Sequence, residues 1–362
     1  MSTILILANS SGGLYDFRNE LLLRLKKQHE VKISVPDDTK VKELREEGYE
    51  VFKTPINRRG MNPKEDLKLF FSYKKLLSQV KPDLVLSYTI KPNIYGGVAC
   101  RRKKIPYIAT ITGLGSTFQR EGLLKKLIIR MYKTGLKRAE CVFFQNEQNK
   151  GIFEKYGIKG KRSRLVSGSG VNLDKHTFED YPVGEDTRFL FIGRIMREKG
   201  IEEFLTAAKA LQGTGASFEI MGYCDEDYQA KLDEYESRGL IKQIGFQPDV
   251  HAYIKAASAV ILPTYHEGMS NVLMEAAATG RAVIASNISG CREIVDDGET
   301  GFLCEPQNSE SLILVLQKFL KLTCEERSEM GRRAREKMER EFDRNRVSDV
   351  YLEEITEVLQ KG

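Results

Sequence analysis

The segment Val260–Gly280, VILPTYHEGMSNVLMEAAATG, is the stretch that decides the fold of this chain. It begins with an apolar run that stops at Pro263, which is typical of a buried strand that ends in a turn. Its second half, from Val272 to Thr279, is rich in Ala, Leu and Met, and Gly280 follows as a C-terminal stop, so a helix is predicted there. A strand that leads through a short loop into a helix is the building unit of parallel α/β sheets.

Two carboxylates lie in this junction. Glu267 falls in the loop and Glu275 about one turn into the helix, so we expect both to face the crevice where the strand ends. Ser270 or Asn271 can cap the helix, whose first N–H groups and positive dipole end would then be left for an anion. An anion seat between two carboxylates that can bind hydroxyl groups suits a nucleotide-sugar. An amphipathic helix with two solvated glutamates is the alternative that this segment alone leaves open.

The whole chain repeats this alternation of strands and helices. At 362 residues it is long for one hydrophobic core, and both halves alternate apolar strand-like runs with helical patterns. The prediction is an α/β fold with two Rossmann-like, doubly wound domains of parallel strands. We place the first domain at 1–168, a linker at 169–184 and the second domain at 185–340. Residues 341–362 are expected to form a C-terminal helix that packs back on the first domain.

Cysteine and histidine usage argues against disulfides and metals. The six cysteines are scattered without a CxxC pair, and no secretory signal precedes them, which favours reduced thiols in the cytosol. The four histidines are isolated, so no metal-ligand cluster is predicted and no cofactor is expected. The first apolar run, Ile4–Ala8, is too short to span a bilayer.

The net charge of +6 hides a strong asymmetry. Residues 1–165 carry 34 Lys and Arg against 16 Asp and Glu, a balance of +18, and the remainder carries 23 against 35, a balance of −12. A basic half suits nucleic acid, an anionic membrane or a phosphate-bearing substrate. Nucleic-acid binding is the distant alternative, because interleaved stacking aromatics and a recognisable RNA- or DNA-binding motif are both missing.

Two loops that follow predicted strands carry further candidate residues. The loop Asn9–Leu14 contains paired glycines that end at Gly13 and let a backbone approach a ligand closely. It lacks the GxGxxG pattern, and a simple tight turn is the alternative. The loop Gly193–Gly200 presents three cations: Arg194, Arg197 and Lys199. These cations suit a diphosphate, although a solvated basic loop is the alternative.

These loops and two further segments resemble a known family. The basic loop Gly193–Gly200 and the Glu267–Glu275 element are similar to motifs of the retaining glycosyltransferases of family 4. Gly170–Leu173 and Asp297–Gly301 resemble two other signatures of that family. The resemblance spans essentially the whole chain. It implies the GT-B fold, in which two Rossmann-like domains face each other across a cleft and the C-terminal one binds the donor.

The resemblance also implies roles for single residues. Arg194 and Lys199 would hold the donor diphosphate and Glu267 would position the sugar, so these three are the implied catalytic residues. The donor site would further include these residues: Gly13, Gly268, Met269, Ser270, Asn271 and, for the ribose hydroxyls, Glu275. No metal is implied, because cationic side chains and a helix dipole would stabilise the departing diphosphate. Many relatives carry a histidine after the strand that ends here near Ile111, and Thr112 stands in its place.

The first half narrows the resemblance to capsule and lipid-linked oligosaccharide transferases, a subgroup that includes an undecaprenyl-diphosphate-sugar N-acetylgalactosaminyltransferase. The segments that carry it are Ser11–Arg18, Asn57–Pro63, Tyr88–Asn93 and Thr112–Gly115. By this resemblance the acceptor ligands are Arg18, Arg58, Lys91 and Thr112, the first three for a diphosphate. Ordinary surface charge is the alternative for these three cations.

Residues 120–138 predict a contact with a membrane surface. Cations at 126, 130, 133 and 137 share one helical face, and residues 123, 127, 131 and 134 begin another, which is the pattern of an interfacial helix. Arg101–Lys104 adds a second basic cluster. A half-buried helix with a solvated basic face is the alternative.

Together these features predict a cytoplasmic enzyme that is peripherally associated with the inner face of the cell membrane. It would move a hexose or N-acetylhexosamine, with retention, from a UDP-sugar to a polyprenyl-diphosphate-linked saccharide for surface polysaccharide or glycan assembly. A soluble family 4 transferase that acts on a small molecule or a protein is the alternative within the enzyme class.

Overall fold

The computed structural model describes residues 1–57, 62–114, 118, 122–182, 184 and 186–361. The chain divides into two compact units. The first unit comprises Met1–Ser169 and Asn345–Gly362, and the second comprises Gly170–Arg344. Each unit builds its own hydrophobic core around a sheet of parallel strands.

The first unit contains a seven-stranded parallel sheet. Its strands are β1 (Thr3–Leu7), β2 (Glu30–Val35), β3 (Glu50–Lys53), β4 (Leu84–Tyr88), β5 (Tyr107–Ile111), β6 (Cys141–Phe144) and β7 (Arg162–Leu165). They lie side by side in the order β3-β2-β1-β4-β5-β6-β7. Strands β4, β5 and β6 are buried along their whole length, because apolar residues pack on both faces of the sheet, as a parallel sheet requires.

Within the described residues, six helices connect these strands. They are α1 (Ser11–Lys26), α2 (Val41–Glu46), α3 (Pro63–Val80), α4 (Gly97–Lys103), α5 (Leu123–Leu136) and α6 (Glu147–Lys155). A π-type turn over Pro92–Gly96 leads into α4. The start of α3 follows from its sequence, because Asn62 accepts hydrogen bonds from the first N–H groups and Pro63 occupies the first helical position.

The second unit contains a six-stranded parallel sheet. Its strands are β8 (Thr187–Ile192), β9 (Ala216–Met221), β10 (Lys242–Gly245), β11 (Ala259–Leu262), β12 (Ala282–Ser286) and β13 (Gly301–Cys304). Its helices are α7 (Ile201–Ala210), α8 (Gln229–Ser237), α9 (His251–Ala256), α10 (Asn271–Ala278), α11 (Ser309–Leu320) and α12 (Cys324–Lys337). The strand order is β10-β9-β8-β11-β12-β13. The strand and helix predicted within Val260–Gly280 are therefore confirmed as β11 and α10.

The last helix, α13 (Arg344–Lys361), supplies the C-terminal part of the first unit. The Tyr351 ring packs on Phe143 of β6, with ring centroids 4.3 Å apart. The Tyr351 hydroxyl lies 3.0 Å from the hydroxyl oxygen of Thr110 on β5. Val347 and Ile355 join the same core, so an apolar face of α13 fixes it to this sheet.

The segment expected to be a linker, 169–184, is instead built into the second unit from Gly170 onward. The Val171 amide donates to the Phe342 carbonyl oxygen at 2.8 Å. The guanidinium of Arg281, which is fully buried, donates to the carbonyl oxygens of Glu179 and Asp180 at 2.8 and 2.7 Å. The glycines and serines of this segment correctly indicate irregular backbone, but the distant Arg281 holds that backbone in the second unit.

Both sheets contain a point where the chain reverses the direction in which it adds strands. In the first unit this point lies between β1 and β4, and in the second between β8 and β11. Ligands of doubly wound sheets bind outside the carboxyl ends of the strands at such a point. The predicted α/β fold with two doubly wound, Rossmann-like domains is confirmed. Bound ligands are therefore expected at the loops after β1, β4, β8 and β11.

Candidate functional site

Two loops of the second unit meet at its switch point. The chain from Gly193 to Gly200 connects β8 to α7, and the chain from Pro263 to Ser270 connects β11 to α10. Because β8 and β11 are neighbouring parallel strands, both loops emerge at the same edge of the sheet. A Cβ on Gly200 would lie 2.0 Å from the Pro263 carbonyl oxygen, so only glycine lets the two backbones come this close.

This meeting of loops brings Lys199 and Glu267 together. The Lys199 ammonium donates a hydrogen bond to Oε1 of Glu267. The side chains are only 20% and 13% exposed, so this ion pair is far better shielded than a surface salt bridge. Two residues that are 68 positions apart and were predicted for one diphosphate-sugar site therefore share one contact.

Arg194 is held by an acidic residue that the sequence analysis missed. Its guanidinium donates to Oδ2 of Asp225, in the loop after β9, at 2.7 Å. The next residue, Glu226, accepts a hydrogen bond from the Arg197 amide at 2.9 Å. The basic loop is therefore fixed by neighbouring carboxylates, which argues against the alternative of a loosely solvated loop.

A third loop, after β12, packs directly against Glu267. The Gly290 carbonyl oxygen accepts a hydrogen bond from the Ser270 amide at 3.1 Å. A Cβ on Gly290, whose φ is +90°, would lie 2.8 Å from the Glu267 Cβ. The Gly290 amide in turn donates to the Glu293 carboxylate at 2.6 Å. Gly290 was also missed in the sequence, where a glycine between strand and helix signals only a turn.

Helix α10 begins where predicted, although its cap differs from the expectation. Ser270 occupies the N-cap position with extended backbone, but its hydroxyl makes no capping hydrogen bond. Asn271 is the first helical residue rather than the cap. Gly268 and Met269 lead into the helix, and Met269 is buried in the core of the unit. The predicted backbone stretch 268–271 therefore stands beside the Lys199–Glu267 pair.

Glu275, one turn further on, faces a buried histidine. Nε2 of His176 lies 3.8 Å from Oε1 of Glu275. Burial lowers the pKa of His176 to about 3, assisted by the charge of Lys175 and by His251, so the imidazole is neutral near neutral pH. Glu267 and Glu275 are each only 13% exposed, so the alternative of two solvated glutamates is wrong. His176 lies three residues after the Gly170–Leu173 signature, which was the available signal for it.

In the first unit, the start of α1 is already occupied by groups of the chain itself. The Ser11 amide and hydroxyl both donate to Asp37, and the Gly13 amide donates to the Ser10 hydroxyl at 3.2 Å. Gly13 is exposed. Its predicted role toward the donor would require an anion to compete with these groups.

Arg18 is a buried residue rather than a surface charge. Its guanidinium lies over the rings of Tyr88 and Tyr351, 5.2 and 5.6 Å from their centroids. Within the described part of the chain it forms no ion pair. The Tyr88 hydroxyl and Oγ1 of Thr89 are buried without a hydrogen-bond partner there, and Thr89 has φ +72°. An unpaired arginine, two unsatisfied hydroxyls and a strained residue at a switch point are features of a ligand site.

The other predicted acceptor residues are placed differently. Lys91 donates to Oδ1 of Asp66 at 2.7 Å, and both side chains are largely buried, so its charge is already balanced. It is therefore no ordinary surface charge, and a diphosphate would have to compete with Asp66. Thr112 follows β5 and is partly exposed. Arg58 lies outside the described residues.

The described residues contain no group of three or more His, Cys, Asp or Glu side chains arranged to hold a metal ion. All six cysteines are free thiols, as predicted. Among the helices described here, none is both long enough and apolar enough to cross a bilayer.

Two family models match the chain, one on each half. The model described as Glycosyl transferase 4-like matches residues 3–146, and the model described as Glycosyl transferases group 1 matches residues 174–337. Together they span most of the chain. The second match contains the whole basic loop and both glutamates.

Two curated relatives extend over most of the sequence. The chain is similar to an N,N'-diacetylbacillosaminyl-diphospho-undecaprenol alpha-1,3-N-acetylgalactosaminyltransferase from Campylobacter jejuni, with 29% identity across 84% of this chain and 86% of the relative. It is also similar to a UDP-Gal:alpha-D-GlcNAc-diphosphoundecaprenol alpha-1,3-galactosyltransferase from Escherichia coli, with 26% identity across 75% of each protein.

Solved structures share the whole fold. A sucrose-phosphate synthase from Thermosynechococcus elongatus matches with a TM-score of 0.81 and 19% identity, and the match covers 100% of both chains. The Anabaena protein HepE bound to UDP-glucose matches with a TM-score of 0.82 and 18% identity over 99% of this chain and 100% of that one. At these identities the likeness shows the fold alone, which is the expected GT-B fold.

Proposed function

Because its two halves match the Glycosyl transferase 4-like and the Glycosyl transferases group 1 models, the chain belongs to the glycosyltransferases, and on this premise we propose that it extends a polyprenyl-diphosphate-linked saccharide. The donor is a UDP-sugar that delivers a hexose or an N-acetylhexosamine, with retention and without a metal. The names of the two relatives support this proposal, since both describe sugar transfer to undecaprenyl-diphosphate-linked acceptors.

The observation that carries the proposal is the Lys199–Glu267 pair at the switch point of the second unit. A lysine that is already held in a shielded position can meet a diphosphate oxygen with little reorganisation. Arg194, held by Asp225, offers a second cation on the same loop. Glu267 can accept hydrogen bonds from sugar hydroxyls, and Glu275 from the ribose.

The proposed chemistry is a displacement on one face of the sugar. The bond between the anomeric carbon and the diphosphate oxygen breaks while the acceptor oxygen bonds to the same face. The acceptor proton passes to the departing diphosphate. Lys199 and Arg194 stabilise the negative charge that develops on this leaving group. No enzyme nucleophile takes part.

Contact with the inner membrane face is supported by the charges on α4 and α5. Nine cations on and beside these helices form no ion pair with any residue that the structure describes: Arg101, Arg102, Lys103, Lys104, Lys126, Arg130, Lys133, Lys137 and Arg138. Arg332 and Arg333 of α12, in contrast, pair with Glu329 or Glu336 of their own helix. Cations without an internal partner suit the phosphates of an anionic leaflet, at about 1 kcal/mol each near the surface.

The direct test is transfer from UDP-sugars to a synthetic polyprenyl-diphosphate-linked N-acetylhexosamine. Mass spectrometry detects the product, NMR reports its anomeric configuration, and a parallel reaction contains a chelator. Lys199→Ala and Glu267→Ala are each expected to lower turnover by at least about a hundredfold. Near wild-type turnover in either variant would remove the donor-site assignment.

Lys231→Ala is the matched control for these variants. Lys231 also donates to a carboxylate of its own unit, that of Glu202, but each side chain of this pair is 38% exposed. We expect its activity to be unchanged. Thermal unfolding of all variants shows whether they remain folded.

Flotation with vesicles tests the membrane contact separately. Binding is expected only when the vesicles contain anionic lipid, and it should weaken as salt rises. A protein that stays in the aqueous fraction would contradict the membrane contact and favour an acceptor that is a small molecule or a protein.

A further inference from the structure

An apolar groove opens on the surface of the first unit between α3, α4 and α5. Its volume is about 660 Å³, within the range of sites that hold small ligands. Leu67 and Phe71 of α3 line one wall and Leu127 of α5 lines the other, with Ile94 and Val98 between them. Asp66 also lines this groove and pairs with Lys91, so the groove borders the loop after β4 at the switch point of the first unit.

The groove walls carry large apolar side chains that the fold itself leaves outside its core. Leu67, Phe71 and Leu127 are 56%, 54% and 47% exposed. Helix α5 buries a different face, which includes Ile128 and Tyr132. The alternative of a half-buried helix therefore accounts for one apolar face of α5, but it leaves the Leu127 face without a packing partner among the described residues. A contiguous exposed apolar surface of this kind marks a binding site.

Two cations also line the groove. Arg102 lies over the Phe70 ring, 4.8 Å from its centroid, and Arg130 projects from α5 beside Leu127. Neither guanidinium forms an ion pair with a residue in the described ranges. The acidic residue of the lining, Asp66, is neutralised by Lys91 at 2.7 Å. The lining thus combines a large apolar surface with a net positive charge.

We infer that this groove holds the isoprenoid chain of the polyprenyl-diphosphate acceptor, next to its diphosphate. The inference rests on the proposed function and adds a second substrate contact to it. The occupant follows from charge and continuity. An apolar chain with an anionic head matches an apolar groove whose lining carries two arginines that are unpaired among the described residues. The Lys91–Asp66 pair links the groove to the loop after β4, and Arg18 lies over the ring of Tyr88, the last residue of that strand.

If the groove binds the isoprenoid chain, the length of that chain should affect the KM for the acceptor even in the absence of a bilayer. Two acceptors with the same diphosphate-linked sugar are compared in detergent solution. One carries a long isoprenoid chain and the other a single isoprene unit. The wild-type protein is expected to show a KM at least tenfold lower for the long-chain acceptor. Equal KM values would overturn the inference while leaving transfer itself, and so the proposed function, intact.

Phe71→Glu and Leu127→Glu place a carboxylate in the groove at positions that are already half exposed. Each is expected to raise the KM for the long-chain acceptor at least tenfold and to remove the preference for chain length. Leu314→Glu is the matched control, because Leu314 is 60% exposed on α11 of the second unit. If the groove variants keep the wild-type preference, the inference is wrong.

A photoreactive long-chain polyprenyl diphosphate identifies the occupant directly. Crosslinks are expected on α3 and α5, and an excess of unlabelled polyprenyl diphosphate should suppress them. If a short-chain anionic phospholipid suppresses them equally well, the groove binds lipid acyl chains in general and the assignment to the acceptor is overturned. If no variant and no wild-type reaction yields product with either acceptor, the proposed function fails rather than the groove.

Discussion

Replacing Gly290 by alanine tests whether the loop after β12 sets the position of Glu267. A Cβ at residue 290 would lie 2.8 Å from the Glu267 Cβ and 2.9 Å from the Gly268 carbonyl oxygen. Ordinary contacts of a Cβ begin at about 3.4 Å. Since neither neighbour is the end of a flexible side chain, the Glu267 loop must shift by about 0.6 Å, the difference between these distances.

A shift of this size is expected to lower kcat/KM about tenfold. A misplacement of 1 Å can reduce a rate about a hundredfold, so 0.6 Å corresponds to roughly tenfold. The backbone at Gly290 has φ +90°, where a side chain adds a cost of about 1 kcal/mol or more. The variant is therefore expected to be both slower and less stable than the wild type.

Gly213→Ala is the matched control for this prediction. Gly213 has φ +83°, and none of the described heavy atoms lies within 4 Å of its added Cβ, so it shares the backbone cost without the contact. The assay is the initial rate of sugar transfer across donor concentrations, with urea unfolding of the same samples. Both variants should lose stability, and only Gly290→Ala should lose rate. Equal kcat/KM values for the two variants would refute the reasoning.

Two further predictions concern buried groups. His176→Asn should remove a pH dependence of stability. Burial lowers the pKa of His176 to about 3, so between pH 6.5 and 4.5 this histidine becomes protonated in the unfolded chain but stays neutral in the folded protein. The wild type should lose about 2 kcal/mol more unfolding free energy than the variant over this interval. An equal loss in the two proteins, measured by urea unfolding at both pH values, would contradict this. Thr89→Gly relieves a β-branched residue at φ +72° and removes a buried unpaired hydroxyl, so unfolding free energy should rise by about 1 kcal/mol while the acceptor KM rises. A variant less stable than the wild type would show that Thr89 is not strained.

The sequence predicts the fold well wherever a pattern is local. The apolar run before Pro263 and the Ala-rich run after Ser270 define β11 and α10, because each element's periodicity and its ends lie within a few residues. The segment 169–184 was misjudged as a linker because the residue that fixes it, Arg281, lies about a hundred positions later. Its irregular backbone is held by contacts that no local pattern contains.

The residues of the candidate site likewise differ in whether the sequence could predict them. Lys199 and Glu267 could be assigned to one site, because parallel strands in a doubly wound sheet bring successive loops to one edge. Asp225 and His176 could not be assigned to the site, because their roles depend on contacts with the distant side chains of Arg194 and Glu275. The Lys91–Asp66 pair could not be predicted either, because Asp66 is 25 residues earlier on α3 and nothing in either local sequence indicates the contact.

The charge asymmetry between the halves gains a physical meaning from these partners. In the second half, where acidic residues outnumber basic ones by 12, Arg194 and Lys199 are each held by a carboxylate of their own unit. In the first half, with its excess of 18 cations, there are too few carboxylates to pair them, and Arg101, Arg102 and Lys103 of α4 and Lys126, Arg130 and Lys133 of α5 form no ion pair within the described chain. Paired cations keep a fixed geometry for one small ligand, whereas unpaired, exposed cations attract an extended anionic surface at long range. If this distinction is correct, raising the salt concentration should weaken vesicle binding steeply and donor binding only slightly, because screening acts mainly on exposed charges.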